Sequence, residues 1–149
     1  LVIIGIDPSS SAVGWCIFEE NNLMEYGEIK PSSHKKIQGR LLTIYNQLTC
    51  IVNEYKPSIM VIEDQVIRHI KSAKILCQVR GVVELVGAIK EIESKSFYPS
   101  SLKLDFTGSG RASKDDMVKA AMDRYNIKDI TDNMADAMAA VYTYLNRGK

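Results

Sequence analysis

Four carboxylates in this 149-residue chain stand where folding alone would not put them. Asp7 closes the apolar run 1–6, and Glu63 closes the run 59–62. An acid at the end of a buried strand is partly desolvated, which costs several kcal/mol unless a cation, hydrogen-bond donors or protonation relieves it. Asp136 interrupts the apolar pattern Met134-Ala135-Asp136-Ala137-Met138, and Asp132 lies one helical turn before it, on the same side. If the helix carrying that pair docks beside the first strand, the four acids converge from three elements. Hard divalent cations relieve the repulsion of such a cluster. All-oxygen ligation suits Mg²⁺ or Mn²⁺, and a pair of these ions ~4 Å apart supports phosphodiester hydrolysis. The absence of a Cys/His cluster argues against zinc. Plain structural roles compete with this reading: an Asx-turn at Asp7, a solvated loop at Glu63-Asp64, an N-cap at Asp132. Asp136 is the hardest of the four to explain that way.

The elements that must position these acids are legible in outline. Residues 1–6 are β-branched and apolar without periodicity, the mark of a strand buried on both faces. Runs 14–20 and 23–29 flank Asn21-Asn22 and predict an antiparallel hairpin, giving a three-stranded meander. Apolar residues at 37, 41, 44, 48, 51 and 55 predict an amphipathic helix ending before Pro57, followed by a buried strand over 59–62. From 71 to 93 the spacing is helical again, with a broad apolar stripe. Gly81, Gly87 and Ala88 there suit close approach of another layer or a second subunit. Residues 96–98 read as a short strand, 108–113 as a cationic turn, and Ser113 as the N-cap of a helix with Asp115 and Asp116 in its first turn. A last helix starts near Asp132. The whole is one α/β domain over 1–149, a mixed sheet with helices packed on it.

A net charge of +1 makes no overall case for nucleic acid, but the charge is segregated. Residues 1–30 carry a balance of −4. Residues 65–83 hold Arg68, Lys71, Lys74 and Arg80, with His69, and no acid; residues 95–114 add Lys95, Lys103, Arg111 and Lys114 against Asp105. Brought together, these stretches form a phosphate-binding face; kept apart, they are a solvated helix face and a basic loop. Cys16, Cys50 and Cys77 are too few and scattered for a disulfide framework and read as small buried hydrophobes. No apolar run reaches the ~20 residues of a membrane span, so the expectation is a soluble cytoplasmic protein.

Five motifs, in order, resemble the RuvC-type Holliday junction resolvases of the RNase H-like superfamily. They are Ile4-Gly5-Ile6-Asp7-Pro8 with Gly14-Trp15; Val61-Ile62-Glu63; Gln78-Val79-Arg80-Gly81; Gly108-Ser109-Gly110-Arg111-Ala112-Ser113-Lys114; and Ala135-Asp136-Ala137-Met138-Ala139. The resemblance implies an RNase H-like fold, with helices on both faces of the sheet. It implies a homodimer that binds four-way DNA junctions and nicks two like strands symmetrically, using Mg²⁺ or Mn²⁺, two per site. Carried over, Asp7, Glu63 and Asp136 are metal ligands and Lys114 a basic residue near the scissile phosphate. The family's other late acid falls on Asn133 here, so Asp132 substitutes or the fourth ligand is an amide. Where many bacterial members place a stacking aromatic after the second acid, His69 is the only ring, as expected of a divergent, phage-like member working in a bacterial or host cytoplasm. With that reading Arg68, Lys71, Lys74, Arg80, Arg111 and Lys114 track phosphates, and the apolar face of helix 71–93 is the dimer contact. A nuclease acting on RNA, a junction-binding protein with little turnover, and one lobe of an actin-like fold are the alternatives.

Overall fold

A computed structural model of the chain describes residues 1–64 and 70–147. Chain order is β1 (Val2–Pro8), β2 (Val13–Glu19), β3 (Asn22–Ile29), α1 (Ile37–Tyr55), β4 (Ile59–Glu63), α2 (Ile70–Ile89), β5 (Glu93–Phe97), α3 (Pro99–Thr107), α4 (Lys114–Tyr125) and α5 (Asp132–Arg147). The five strands form one sheet in the order β3-β2-β1-β4-β5. β1, β2 and β3 are the antiparallel meander, and β4 and β5 run parallel to β1. The tight turn falls one residue earlier than Asn21-Asn22. Glu20 and Asn21 both adopt positive φ, the backbone of a two-residue hairpin loop, and Glu19 pairs with Asn22.

Because side chains alternate across a strand, the two central strands divide their residues between two helical layers. Ile4, Ile6, Met60 and Ile62 pack under α1 and α2, meeting Ile44, Leu48, Val52, Val79, Val83 and Val86. Ile3, Ile59 and Val61 pack on the other face with Leu102, Phe106, Met117 and the buried side of α5. Asp7 and Glu63 share the parity of this second set, so the sheet's own pleat aims both acids toward α5. That helix reaches the sheet because two strand positions lack a side chain. A Cβ on Gly5 would sit 2.3 Å from the Ala137 carbonyl oxygen, and one on Gly14 would sit 2.2 Å from that of Asn133.

Three expectations are corrected. α2 ends at Ile89 rather than 93, and the following strand is Glu93–Phe97, an edge strand exposed over its first four residues. The segment 99–107, unassigned from sequence, is a helix with Pro99 in its first turn, where a missing N–H costs nothing. Only Cys16 is buried, whereas Cys50 and Cys77 are exposed. Gly87 does face Met60 and Ser94, but among the described residues nothing outside the helix's own backbone comes within 4 Å of a Cβ at Gly81.

Candidate active site

Asp7 is the last residue of β1 before Pro8, and the chain beyond it is tied down. Ser9 and Ala12 exchange hydrogen bonds through the Ser9 hydroxyl, and Arg40 on α1 donates to the Ser10 carbonyl. Glu63 ends the neighbouring parallel strand, so both acids stand at strand carboxyl ends, where open α/β sheets build their sites. Asp136 descends onto them from α5. Oxygens of Asp7, Glu63 and Asp136 all lie within 4.8 Å of one another.

This trio is electrostatically poor as it stands. Asp7 is only 7% exposed. Its carboxyl is pushed well above the ordinary range by burial, then by the charge and hydrogen bond of Glu63, then by Asp136 and Asp132. Burial also raises Glu63, while its hydrogen bond to Asp7 and the ammonium groups of Lys103 and Lys114 pull the other way. Asp136 is pushed up to about 7 by burial, with Glu63 and Asp132 adding to the effect. A hydrogen bond between two carboxyl groups needs a proton between them, so without a cation this pair favours holding one.

Asp132 stands outside the trio. Its Oδ2 accepts a hydrogen bond from Lys114 Nζ at 2.5 Å, which lowers its carboxyl below the ordinary range and raises the lysine. Lys114 is the first residue of α4, behind a capping box formed by Ser113 and Asp116, and its side chain is 79% exposed. Asn133, the adjacent alternative, turns its amide nitrogen to β3: Nδ2 donates to Glu28 Oε1 at 2.8 Å, beside the Thr131 hydroxyl on the same oxygen.

The profile of the family described as crossover junction endodeoxyribonuclease RuvC matches residues 3–144. The chain belongs to the RuvC family. Relatives carrying that description include one from Prochlorococcus marinus subsp. pastoris, 35% identical over 97% of this chain and 96% of its own length. Another, from Fusobacterium nucleatum, is 31% identical over 97% and 80%. Among solved structures, T. thermophilus RuvC in complex with a Holliday junction substrate superposes with a TM-score of 0.85 at 20% identity, covering 97% of this chain and 93% of that one. The yeast mitochondrial Holliday junction resolvase gives 0.68 at 13% identity, over 96% and 77%. These likenesses establish the RuvC fold, of the RNase H-like type.

The cations expected to line this RuvC site are distributed unevenly. Arg68 and His69 lie outside the described residues, and Lys71 falls in α2 with its side chain undescribed. Lys74 and Arg111 are exposed. Arg80 differs: its side chain is 17% exposed and its nitrogens meet oxygens of this same chain. Lys103 is the residue sequence reading missed, since it was counted only as part of a basic stretch. It sits on α3 and acts on both Glu63 and Asp136.

Proposed function

We propose that this protein is a metal-dependent, structure-selective DNA endonuclease that resolves four-way junctions by paired symmetric nicks, leaving 5′-phosphate and 3′-hydroxyl ends. The observation that carries the reading is the carboxylate trio within 4.8 Å, at the strand ends of a RuvC-family chain. The donor set fits hard divalent cations: it is all oxygen, with Asp7 buried and Glu63 and Asp136 half-buried, and it favours protonation when no cation is present. Asp7, Glu63 and Asp136 would hold Mg²⁺ or Mn²⁺, two per site, with Asp132 close enough to contribute charge. Such ions supply Lewis-acid polarisation of the phosphodiester and a more acidic water.

The chain's own residues do the rest. Lys114 tethers Asp132 through one of its three donors and presents the others toward solvent at the edge of the trio, where a substrate phosphate would sit. Lys103 adds a second positive charge near Glu63 and Asp136, so a phosphate entering an anionic site meets compensating cations. Lys74 and Arg111 are exposed and suited to phosphates further along the DNA arms. Two symmetric cuts need two sites, hence a homodimer. The outward side of α2, where Leu85 and Ile89 are 52% and 53% exposed, is the contact that fits. No helix among the described residues is long and apolar enough to cross a membrane, and a DNA substrate places the work in the cytoplasm.

The test is incision of labelled synthetic four-way junctions, compared with a linear duplex of the same sequence and an RNA–DNA hybrid, with Mg²⁺, Mn²⁺ or EDTA. Metal-dependent paired cuts on the junction, with products sealed by ligase, are expected. Equal cutting of linear duplex or preference for the hybrid overturns the substrate assignment. Binding of the junction without any cut overturns the enzyme.

A pH dependence follows from the same trio. Asp136 titrates near 3.8 in an unfolded chain and about 7 in the native one. Between those values the native state holds a proton that the unfolded state has lost, so this contribution to stability is complete below about pH 4 and disappears as pH rises to about 7. Asp7 and Glu63 are raised and act in the same direction. Asp132 and Asp116 are lowered, and their opposite effect is confined to acid below their unfolded value of 3.8. In EDTA the melting temperature therefore falls between pH 5 and 8, by of the order of 10 °C. Added Mg²⁺ raises it at pH 8 and scarcely at pH 5. Calorimetric melts in the two conditions check both signs; a melting temperature that rises across this range contradicts the trio's electrostatics.

A further inference from the structure

We propose that Arg80 is a positioning residue that sets the pose of the Glu63 carboxylate by gripping the end of β4, and that it is not a phosphate contact. The inference rests on the reading of Asp7, Glu63 and Asp136 as metal ligands. Arg80 lies on α2, which packs on the face of the sheet opposite α5. Its guanidinium is used on all three sides. Nη1 donates to the Glu63 backbone carbonyl at 3.1 Å and lies 3.6 Å from Asp64 Oδ1. Nη2 donates to Ser96 Oγ on β5 at 2.7 Å, and Nε donates to Glu84 Oε1 one turn further along α2 at 2.8 Å. One side chain thus joins the last residue of β4, the neighbouring edge strand and its own helix.

The place of this clamp gives it consequence. β4 pairs with β5 through Glu63 opposite Phe97, and the Asp64 N–H donates to the Phe97 carbonyl at 2.8 Å, the last rung before the strand pair ends. That rung holds the N–H side of the peptide that follows Glu63. The arginine's hydrogen bond holds its carbonyl side, and the orientation of that peptide sets the direction in which the Glu63 side chain leaves the backbone. Glu84 and Ser96 in turn hold the guanidinium plane, since a planar fork with donors on three edges can be fixed by partners on three edges. A lysine keeps the charge but has donors at one point only and cannot make the same three bonds. With its side chain 17% exposed and each nitrogen engaged, Arg80 has little left to offer DNA. Glu84 and Asp64 also offset its charge.

Residues that orient a metal ligand, rather than bind the ion, change affinity by about 10–100-fold when removed. The experiment is a calorimetric Mn²⁺ titration of the full chain without DNA, for the wild type, Arg80→Lys, Ser96→Ala and Asp7→Asn, alongside junction affinity in EDTA. Arg80→Lys is expected to raise the Mn²⁺ half-saturation about tenfold, to leave junction affinity within about twofold, and to recover its incision rate as Mn²⁺ is raised. Ser96→Ala, a change on an exposed edge strand that threatens folding least, is expected to move the half-saturation the same way by about threefold. If both variants bind Mn²⁺ like the wild type, the positioning role is wrong. If Arg80→Lys instead weakens junction binding and its salt dependence with the Mn²⁺ curve unmoved, Arg80 is a phosphate contact and the proposal fails. The control separates the two levels: should Asp7→Asn leave Mn²⁺ binding intact, the metal-site reading itself has failed, whereas loss in Asp7→Asn with no change in the other two sinks the clamp alone.

Discussion

Asp7→Asn is expected to be inert as a nuclease and yet more heat-stable than the wild type when both are stripped of metal. The two effects have one origin. Asp7 is buried against Glu63 and Asp136, and its charged form is disfavoured first by desolvation and then by those neighbours. Asparagine keeps the size, cannot ionise, and has an amide that donates to Glu63 where the shared proton did. Removing one charge from such a cluster stabilises the metal-free fold at pH 8 by about 2 kcal/mol, which is a rise of about 5 °C for a chain of this size. The same change removes a ligand from the site, and incision of a four-way junction falls by about a thousandfold or more. Saturating Mn²⁺ then inverts the order of stability. The wild type gains about 2.7 kcal/mol at a hundred times its dissociation constant, and the variant gains far less. Gel assays of incision and calorimetric melts with and without EDTA measure both halves. A variant that still cuts, or one that melts below the wild type in EDTA, contradicts the assignment of Asp7 to a repulsive metal-binding cluster.

The trio was readable from sequence because each acid breaks a pattern: Asp7 and Glu63 end apolar runs, and Asp136 interrupts an apolar helix face that is otherwise fully buried from Ala137 to Val141. The choice between Asp132 and Asn133 was not readable. They are neighbours about 100° apart on one helix, and what separates them is Lys114 on one side and Glu28, 105 positions away on β3, on the other. α3 was hidden for a different reason. Its apolar residues Leu102, Leu104 and Phe106 alternate like a strand, and only Pro99 marks a helix start. Losing that helix also hid Lys103, whose relation to Glu63 exists only once α3 is placed. β5 was misjudged because Ser, Lys and Glu dominate a strand exposed at the sheet edge, while Ile89 and Ile92 extend the helical spacing of α2 into it. The stop comes from Glu91 at φ 54°, for which the sequence has neither Gly nor Pro. In the sequence Arg80 is one cation among several, since a run of basic residues does not show which of them face their own chain.

Placement of the trio depends on how closely α5 lies on the sheet, and the largest structural effect is expected from Gly14→Ala. A Cβ there would meet the Asn133 carbonyl oxygen at 2.2 Å and its carbon at 2.4 Å. At Gly5 it would meet the Ala137 carbonyl oxygen at 2.3 Å and Val141 Cγ2 at 2.7 Å. The carbonyl atoms at both positions are backbone of a helix buried along this side and cannot swing away as a flexible side chain would, so α5 must lift or the strand must bow. Overpacking of that kind costs about 3 kcal/mol. Asp136 moves with the helix while Asp7 and Glu63 stay on the strands, so the trio opens, and a displacement of about 1 Å lowers incision about a hundredfold. Gly39→Ala is the matched control. It lies in α1, the nearest atoms to a Cβ there belong to the Lys35 side chain at 3.6 Å, an ordinary contact, and replacing a helical glycine is expected to raise stability by about 0.5–1 kcal/mol. Thermal melts of the two alanine variants should therefore move in opposite directions, with a weakened Mn²⁺ response only in Gly14→Ala. If Gly14→Ala melts and cuts like the wild type, α5 does not rest on the sheet as closely as these distances require.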